Sequence, residues 1–584
     1  MMMEDSTGYP SVDKPQNKYY RDKPARIIET NQSIYDLVFN TNRNNLDDPA
    51  IEYLGHEYTY RALKKEVDSL AKAFLLSGCE TGDTVLLGLT NTPEAVIASL
   101  AINRIGCIQR WFDVRVNEKI LSEYIINSKS KCLIAMDFLL PVIRGIIETT
   151  GIKSVLIVHP SSCMHSAMKA LYSIKHRKET QAYKYHDDRI HEFWDYLKTG
   201  HYAGVSLPQL PFDKARPSVM VQSSGTTGKP KIIVHSDFSA TSSVYSFSHS
   251  DLPVEKGKVL LNLLPPWIAY GLGHAIIYPL AMGCKVLLSP TFEPDAIMPY
   301  IGKFTFAFGA PFHYRYLCEH FDQISSRKKA KFFARVDALV SGGDKVTIQE
   351  NQKFEEVFKT KFGNGYGNNE GWGCLTVNPI LHNKYGSIGI PKYGETVICY
   401  DSKTKKELPY GEIGEICVQA NTAFLYYDQD QNEAETRKVK VLHSDGKEWI
   451  HTGDLGSIDS DGFVFLSGRV RRVIIRQGFK ISAYTIEDKI CEMPEIKECV
   501  AVEAPDAIEE HVPAVFVTVA ENDNPDQEAI KKLINKKCET ELKTYEIPKH
   551  IVFLEKMPYT ANGKYDFRWL EQKAIDLFQP QSTK

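Results

Sequence analysis

The chain has 584 residues and a formal net charge of −3, from 70 Lys plus Arg against 73 Asp plus Glu. Hydrophobic residues make up 43% and charged residues 24%, which excludes a disordered chain, a collagen-like fibre and a coiled coil. The length predicts roughly three or four globular units, and so even a charge balance leaves no electrostatic footprint for nucleic acid.

The twelve cysteines are scattered, without a CxxC pair or a Cys/His cluster at zinc spacing. They are too sparse for a disulfide scaffold and predict reduced, mostly buried thiols in a cytoplasmic protein. The polar N-terminus lacks an apolar core, so no signal peptide is expected.

Residues 1–30 show no clear period and predict an extended or loosely packed arm. A helix is predicted over Ala62–Ser77, where Leu63, Val67, Leu70, Ala71, Phe74 and Leu75 recur at helical spacing before a stop at Gly78. Thr84–Leu89 reads as a buried strand and Pro93–Ala101 as a helix. The alternation continues through Lys131–Met136 and Ser154–Val158, so the predicted class is α/β. Residues 160–200 form a polar, Lys- and His-rich insertion that predicts a solvated surface helix. Val259–Cys284 carries no Lys, Arg, Asp or Glu. Pro265, Pro266, Pro279 and three glycines interrupt it, so it predicts strand, turn, short helix and strand in a core, with no transmembrane segment. From Tyr385 short strands alternate with Gly turns, as in a small antiparallel barrel. A compact α+β unit follows Arg469, with a helix over Gln527–Leu542 that puts Ile530, Leu533, Ile534, Cys538 and Leu542 on one face.

The most informative segment is MVQSSGTTGKPKIIVHS, from Met220 to Ser236. Its loop gathers Ser223, Ser224, Gly225, Thr226, Thr227 and Gly228, then Lys229 and Lys231. Hydroxyls, unhindered backbone N–H groups and ammonium groups together suit a polyphosphate. Pro230 follows the first Lys, so the loop is not a Walker A sequence.

This segment resembles the phosphate loop of the adenylate-forming superfamily of acyl-CoA synthetases, luciferases and peptide-synthetase adenylation domains. Further motifs follow in the family's order. Gly365-Tyr366-Gly367-Asn368-Asn369-Glu370 resembles the segment in which Tyr stacks on adenine and Glu carries Mg²⁺, with Asn369 where Thr is usual. Gly342-Gly343-Asp344 resembles the segment flanking adenine upstream. Asp454, in Thr452-Gly453-Asp454, corresponds to the ribose anchor, and Arg469 follows at the family's spacing. Pro558 to Arg568 resembles the motif of the catalytic lysine, which implies that role for Lys564 beside Glu370 and Thr227.

The resemblance covers about residues 50–570. It implies a large N-terminal domain over 31–470, with two α/β subdomains and a β-barrel at about 385–465. A small mobile α+β domain over 471–584 follows, hinged at Arg471. Rotation would exchange Lys564 for the loop bearing Gly478 and Phe479, beside a pantetheine tunnel. The implied activity is an ATP-dependent carboxylic acid–CoA ligase, with ATP and CoA as substrates and Mg²⁺ as cofactor. The alternative acceptors are an acyl carrier protein thiol or an amine, and a non-catalytic binding homologue is the third reading. Trp267, Ile268, Tyr270 and Gly271 align with the acyl pocket. Ile268 stands where relatives acting on α-amino acids carry Asp, so an α-amino acid is disfavoured. Small residues before Tyr366 favour a medium- or long-chain fatty acid or an aryl acid.

Overall fold

The computed structural model describes residues 6–115, 118–165, 169, 187–222, 231–428, 433–469, 472–477, 479–506, 508–520, 526–560 and 565–579. Its contacts divide the chain into two units. One comprises Gln16–Thr396 and Gln419–Ile450, the other Met1–Pro15, Val397–Val418 and His451–Lys584. The architecture is α/β, as expected.

The first unit contains two large sheets. In the eight-stranded sheet the spatial order is Tyr426–Asp428, Ile232–Ser236, Pro217–Gln222, Ile108–Trp111, Thr84–Gly88, Cys132–Met136, Ser154–Val158 and Ile190–Glu192. The pairs from Pro217–Gln222 onward are parallel, and the first two are antiparallel. Parallel strands are covered on both faces, which is why they read as apolar runs; Val85, Leu86 and Leu87 are fully buried. The nine-stranded sheet has a parallel centre in which Lys361–Tyr366, Ala338–Gly342, Phe306–Gly309, Val259–Asn262 and Lys285–Leu288 are neighbours in that order.

The first predicted helix runs over Tyr60–Leu76. Thr59 caps it by accepting from the Ala62 N–H, and Gly78 follows at φ +78°, a left-handed stop that suits glycine. Its apolar face packs on the helix Phe193–His201, so closely that a Cβ on Gly200 would lie 1.8 Å from the Ser69 carbonyl oxygen. The expectation of a solvated helix in the insertion therefore fails over this part. Phe193, Tyr196 and Leu197 are buried, because spacing inside a polar neighbourhood still gave the helix one apolar face.

The arm also differs from expectation. Arg26 Nη1 donates to the Thr41 carbonyl, Asn42 Oδ1 and the Ala281 carbonyl, and Ile28 is buried. In the second unit, Ser11 N–H donates to Glu407 Oε1 at 2.9 Å. Polar residues here are docked by hydrogen bonds, which hydrophobic periodicity does not register.

The uncharged run folds as strand Val259–Asn262, a turn, a π-helix Tyr270–Ile277, a short α-helix Tyr278–Ala281 and strand Lys285–Leu288. The order is as predicted; the π winding is new. No helix among the described residues is long and apolar enough to cross a membrane.

In the second unit, Asp454 to Ile458 pair antiparallel with Val464–Arg469, and Tyr400 and Asp401 with Glu407 and Lys406. A three-stranded sheet of Ile496–Asp506, Glu510–Val519 and His550–Phe553 carries helices Ala483–Cys491 and Phe567–Phe578 against it. In helix Gln527–Glu541 the buried face is Ile530, Ile534 and Cys538. Leu533 is 45% exposed, one step outside the stripe that faces the sheet.

Candidate active site

In the first unit, the strands Pro217–Gln222 and Ile232–Ser236 form an antiparallel hairpin with Gln222 opposite Ile232. The loop between them lies outside the described residues, and with it Ser223, Ser224, Gly225, Thr226, Thr227, Gly228 and Lys229. Lys231, at its exit, is described. Its ammonium lies 2.8 Å from Glu435 Oε2 and 4.7 Å from the centre of the Tyr427 ring. The hydrogen bonds from Lys231 and Lys438 lower the Glu435 carboxyl to about 2.

A second strand end approaches the same hairpin. Lys361–Tyr366 delivers Gly365 and Tyr366, and a 3₁₀ turn over Asn369–Gly371 follows. Asn368 caps that turn, its Oδ1 accepting from the Gly371 N–H at 2.9 Å. A Cβ on Gly367 would lie 2.6 Å from Cys374 Cα, so only glycine lets the two chains pass. Glu370 ends half-buried with Oε1 accepting from the Tyr427 hydroxyl at 2.8 Å.

Asn369 holds this arrangement together. Its Nδ2 donates to the Gln222 carbonyl at 2.7 Å, and its Oδ1 accepts from the Ala269 N–H at 3.0 Å. Its carbonyl accepts from His235 Nε2 at 2.7 Å. One residue thus ties the Glu370 turn to the base of the Ser/Thr/Gly loop and to the segment before Tyr270. The expected departure at Asn369 becomes a structural clasp: in this arrangement both ends of its amide are spent on backbone.

His235 is fully buried, and burial pushes its pKa down to about 3. It is therefore a neutral donor at ordinary pH. Its ring meets the edge of Trp372, centroids 4.8 Å apart. Trp372 is 1% exposed and adopts φ +59°, a backbone region costly for a bulky residue. A Cβ on Gly273 would lie 2.5 Å from Trp372 Nε1, and one on Gly373 would lie 2.5 Å from the Tyr270 backbone nitrogen. The π-helix, Trp372 and this turn interlock.

Among the acyl-pocket candidates, Tyr270 lines a cavity of about 20 Å³ together with Phe247, His274, Phe308 and Gly373. Gly342, Gly343 and Gly365 line it too. The structure therefore brings three glycines expected beside adenine to the same cavity as a residue expected beside the acyl group. Trp267 packs edge-on to Phe292, centroids 5.2 Å apart. Ile268 is half-buried in the core, and Gly271 lies against the Pro265 carbonyl, where a Cβ would sit 1.9 Å away.

His235 and His274 were not among the sequence-derived candidates. Both lie in segments singled out for other reasons, and a His in an apolar run is indistinguishable there from core. Lys392 and Glu395 were missed as well. They form an ion pair of 3.2 Å with 1% and 2% side-chain exposure, near the cavity wall formed by Phe247.

In the second unit, Asp454 and Arg469 face each other across the antiparallel pair. Arg469 Nε lies 3.0 Å from Asp454 Oδ1. Gly453 takes φ +72° and donates its N–H to Glu415 Oε1 at 3.0 Å; Thr452 donates to the Ile416 carbonyl at 2.8 Å. These bonds fix the strand on either side of the carboxylate. The expected hinge residue Arg471, Gly478, the side chain of Phe479 and Lys564 lie outside the described residues. The adjoining Arg472 is paired with Glu487 at 2.6 Å.

Known proteins share this arrangement of chain. Residues 38–427 match the family described as AMP-binding enzyme, and residues 485–564 match the AMP-binding enzyme C-terminal domain. A long-chain-fatty-acid–CoA ligase of Bacillus subtilis is 25% identical over 563 residues, 94% of this chain and 95% of that protein. A 4-coumarate–CoA ligase of Humulus lupulus is 25% identical over 545 residues, covering 90% and 89%. The crystal structure of ATP-bound MatB from Rhodopseudomonas palustris superposes with a TM-score of 0.80 at 21% identity, covering 94% of this chain and 100% of that one.

Proposed function

Since the chain belongs to the AMP-binding enzymes, we propose that it is an ATP-dependent carboxylic acid–CoA ligase acting on an aryl or medium- to long-chain fatty acid. In the first half-reaction a carboxylate oxygen attacks the α-phosphorus of ATP. The bond to the β-phosphate bridging oxygen breaks, pyrophosphate leaves and an acyl-adenylate forms. In the second, the CoA thiol attacks the acyl carbon, AMP departs with the bonding pair, and the thiol proton is lost to solvent or base.

The observation that carries this reading is the Asn369 clasp. It holds the Glu370 carboxylate to the base of the loop expected to cradle the phosphates, linking positions 147 residues apart in sequence. A carboxylate is a hard oxygen donor and fits Mg²⁺, with one of its oxygens already oriented by Tyr427. Bound there, Mg²⁺ would neutralise phosphate charge. In this reading Ser223 to Lys229 bind the β- and γ-phosphates, and Tyr366, Gly342 and Gly343 flank adenine. Asp454 takes the ribose hydroxyls, with Arg469 redirected from its present ion pair to the ribose or phosphate. Lys564 supplies a fixed cation beside the α-phosphate. Rotation of the C-terminal domain about Arg471 then withdraws Lys564 and presents Gly478 and Phe479 to pantetheine, a motion of the kind that commonly gates turnover.

The rings around the Tyr270 cavity favour the aryl acid. The names of the two CoA-ligase relatives support the CoA acceptor, and twelve unpaired cysteines suit a cytoplasmic, reducing setting. The test is pyrophosphate release from ATP with a panel of acids, with and without CoA. Acid-dependent release and an acyl-CoA product are expected. Release absent with every acid, or indifferent to acid, overturns the ligase. Adenylation without any acyl-CoA product redirects the acceptor to a carrier-protein thiol or an amine.

A further inference from the structure

Lys231 follows the Ser/Thr/Gly loop, and its ammonium already faces an anion. Its Nζ lies 2.8 Å from Glu435 Oε2, while the other carboxylate oxygen, Oε1, accepts from the Lys438 ammonium. One carboxylate is thus shared by two cations. Their hydrogen bonds hold its pKa down at about 2, so it stays charged at ordinary pH. The Tyr427 ring flanks the same Lys231 ammonium, its centre 4.7 Å away.

The placement of Glu435 is built into the fold. Helix Glu433–Val439 has no fully buried residue, so a core of its own does not hold it down. It is fastened at Thr436, whose Oγ1 accepts from the Tyr427 N–H at 3.1 Å. Tyr427 is 4% exposed, pairs with Ile233 in the neighbouring strand and packs on Phe424, centroids 4.8 Å apart. Its hydroxyl donates to Glu370 at 2.8 Å. The residue after Glu435 is therefore tied to the strand that also orients Glu370. All of these residues belong to the first unit.

A carboxylate in this place works against phosphate binding. It takes up the cation at the exit of the loop expected to cradle the phosphates, and a phosphate brought to Lys231 meets a like charge. The exchange is nevertheless easy. The side chains of Lys231 and Glu435 are 35% and 34% exposed, and ion pairs this wet are weak. An ammonium–phosphate bond is charge-assisted on both sides and competes well with one. Glu435 keeps Lys438 when it gives up Lys231, so the displacement strands no charge. Such a competitor has a use where the product is itself a polyphosphate. Pyrophosphate retains the two phosphates that ATP presents to the loop, and a grip that is equal before and after reaction holds product as firmly as substrate.

Building on the ligase reading above, we propose that Glu435 is a positioning residue that acts through Lys231: it competes with the β- and γ-phosphates for that ammonium, and so loosens the hold on ATP and on the pyrophosphate product. AMP and adenosine, which lack both phosphates, escape the competition.

The experiment compares the full-length protein with Glu435→Gln by isothermal titration calorimetry, in Mg²⁺ and without acid, using ATP, pyrophosphate, AMP and adenosine as ligands. Glu435→Gln is expected to bind ATP and pyrophosphate about three- to tenfold tighter, the reach of a weak, screened ion pair. AMP and adenosine should stay within about twofold of wild type on the same basis. In steady-state assays pyrophosphate should inhibit the variant at correspondingly lower concentration, with KM for the acid unmoved. Glu433→Gln, on the same helix at 78% exposure, controls for helix charge and should change none of these affinities. Lys231→Met should weaken ATP binding and, in the double variant, cancel most of the gain from Glu435→Gln. Glu435→Ala is read in the same way should Glu435→Gln not fold. An ATP affinity unchanged or weakened, a gain shared equally by AMP or adenosine, or a gain that persists in full without Lys231 overturns the proposal. Absence of ATP binding together with no pyrophosphate release on any acid removes the ligase reading and this inference with it; ATP binding without the phosphate-dependent gain removes this inference alone.

Discussion

The Asn369 turn and the Tyr270 cavity lie side by side in the first unit and are built on opposite plans. In the turn, the side chain and carbonyl of Asn369 are bonded to Gln222, Ala269 and His235. The cavity, by contrast, is walled by rings, aliphatic side chains and glycines, among them Phe247, Tyr270, Phe308 and Gly373. The turn is finished without a ligand, which suits a carboxylate that, in the proposed reading, meets phosphate charge in a fixed place. The cavity is bounded by rings and glycines rather than by a hydrogen-bonded frame, which suits a wall that sorts ligands by shape.

The contrast can be broken at several points, the largest effect first. Lys564→Ala is expected to slow adenylation by about 10²–10³-fold, comparable to removing one preorganised donor from an active site. Thioester formation from a supplied acyl-adenylate should fall much less. Equal losses in single-turnover assays of the two half-reactions would contradict the domain exchange. Asn369→Ala should cost about 2–4 kcal/mol of stability in denaturant unfolding, because it strands the Gln222 carbonyl and the Ala269 N–H. A cost under about 0.5 kcal/mol would show that the clasp is ornamental.

Gly342→Ala tests the shared wall. Its Cβ would press on the Tyr270 ring, an overpacking worth about 1–3 kcal/mol. KM for the acid should rise more than KM for ATP in steady-state kinetics. The smallest effect is a pH slope. His235 has its folded pKa depressed to about 3 against about 6.5 when unfolded. Below about 6.5 the unfolded chain takes up a proton that the folded chain refuses. The stabilising contribution is therefore full above that pH and is lost as pH falls toward 3. The local slope approaches about 1.4 kcal/mol per pH unit. His235→Gln should flatten the acid limb of urea-unfolding free energy measured from pH 7 to 4.

Much of this was legible in the sequence. The α/β class, the first helix with its stop at Gly78, and the strand–turn–helix–strand reading of the uncharged run all follow from periodicity and turn residues. Those signals are local, and so are the backbone preferences behind them. What escaped was set by distant partners. Asn369 reads as a substituted Thr until Gln222 and Ala269 are seen beside it. Phe193 and Leu197 sat in a stretch read as solvated, yet Gly200 on their own helix makes a close seam with Ser69 on the neighbouring one. Leu533 was placed on a buried face because heptad-like spacing draws that face wider than the sheet it covers. His274 is the clearest case: a lone histidine among apolar residues carries no local mark of its place on a cavity wall.

The interlock of Gly273 with Trp372 and of Gly373 with Tyr270 also limits how this protein can change by descent or design. A side chain added at 273 collides with the indole, and one added at 373 collides with main chain. Neither collision is relieved by a rotamer. Widening the Tyr270 cavity one substitution at a time is therefore open through Tyr270, Phe247 or Phe308, but closed through these two glycines unless positions 273 and 372 change together. In a library built on this scaffold, productive variants at 273 should appear only in clones that have also lost Trp372.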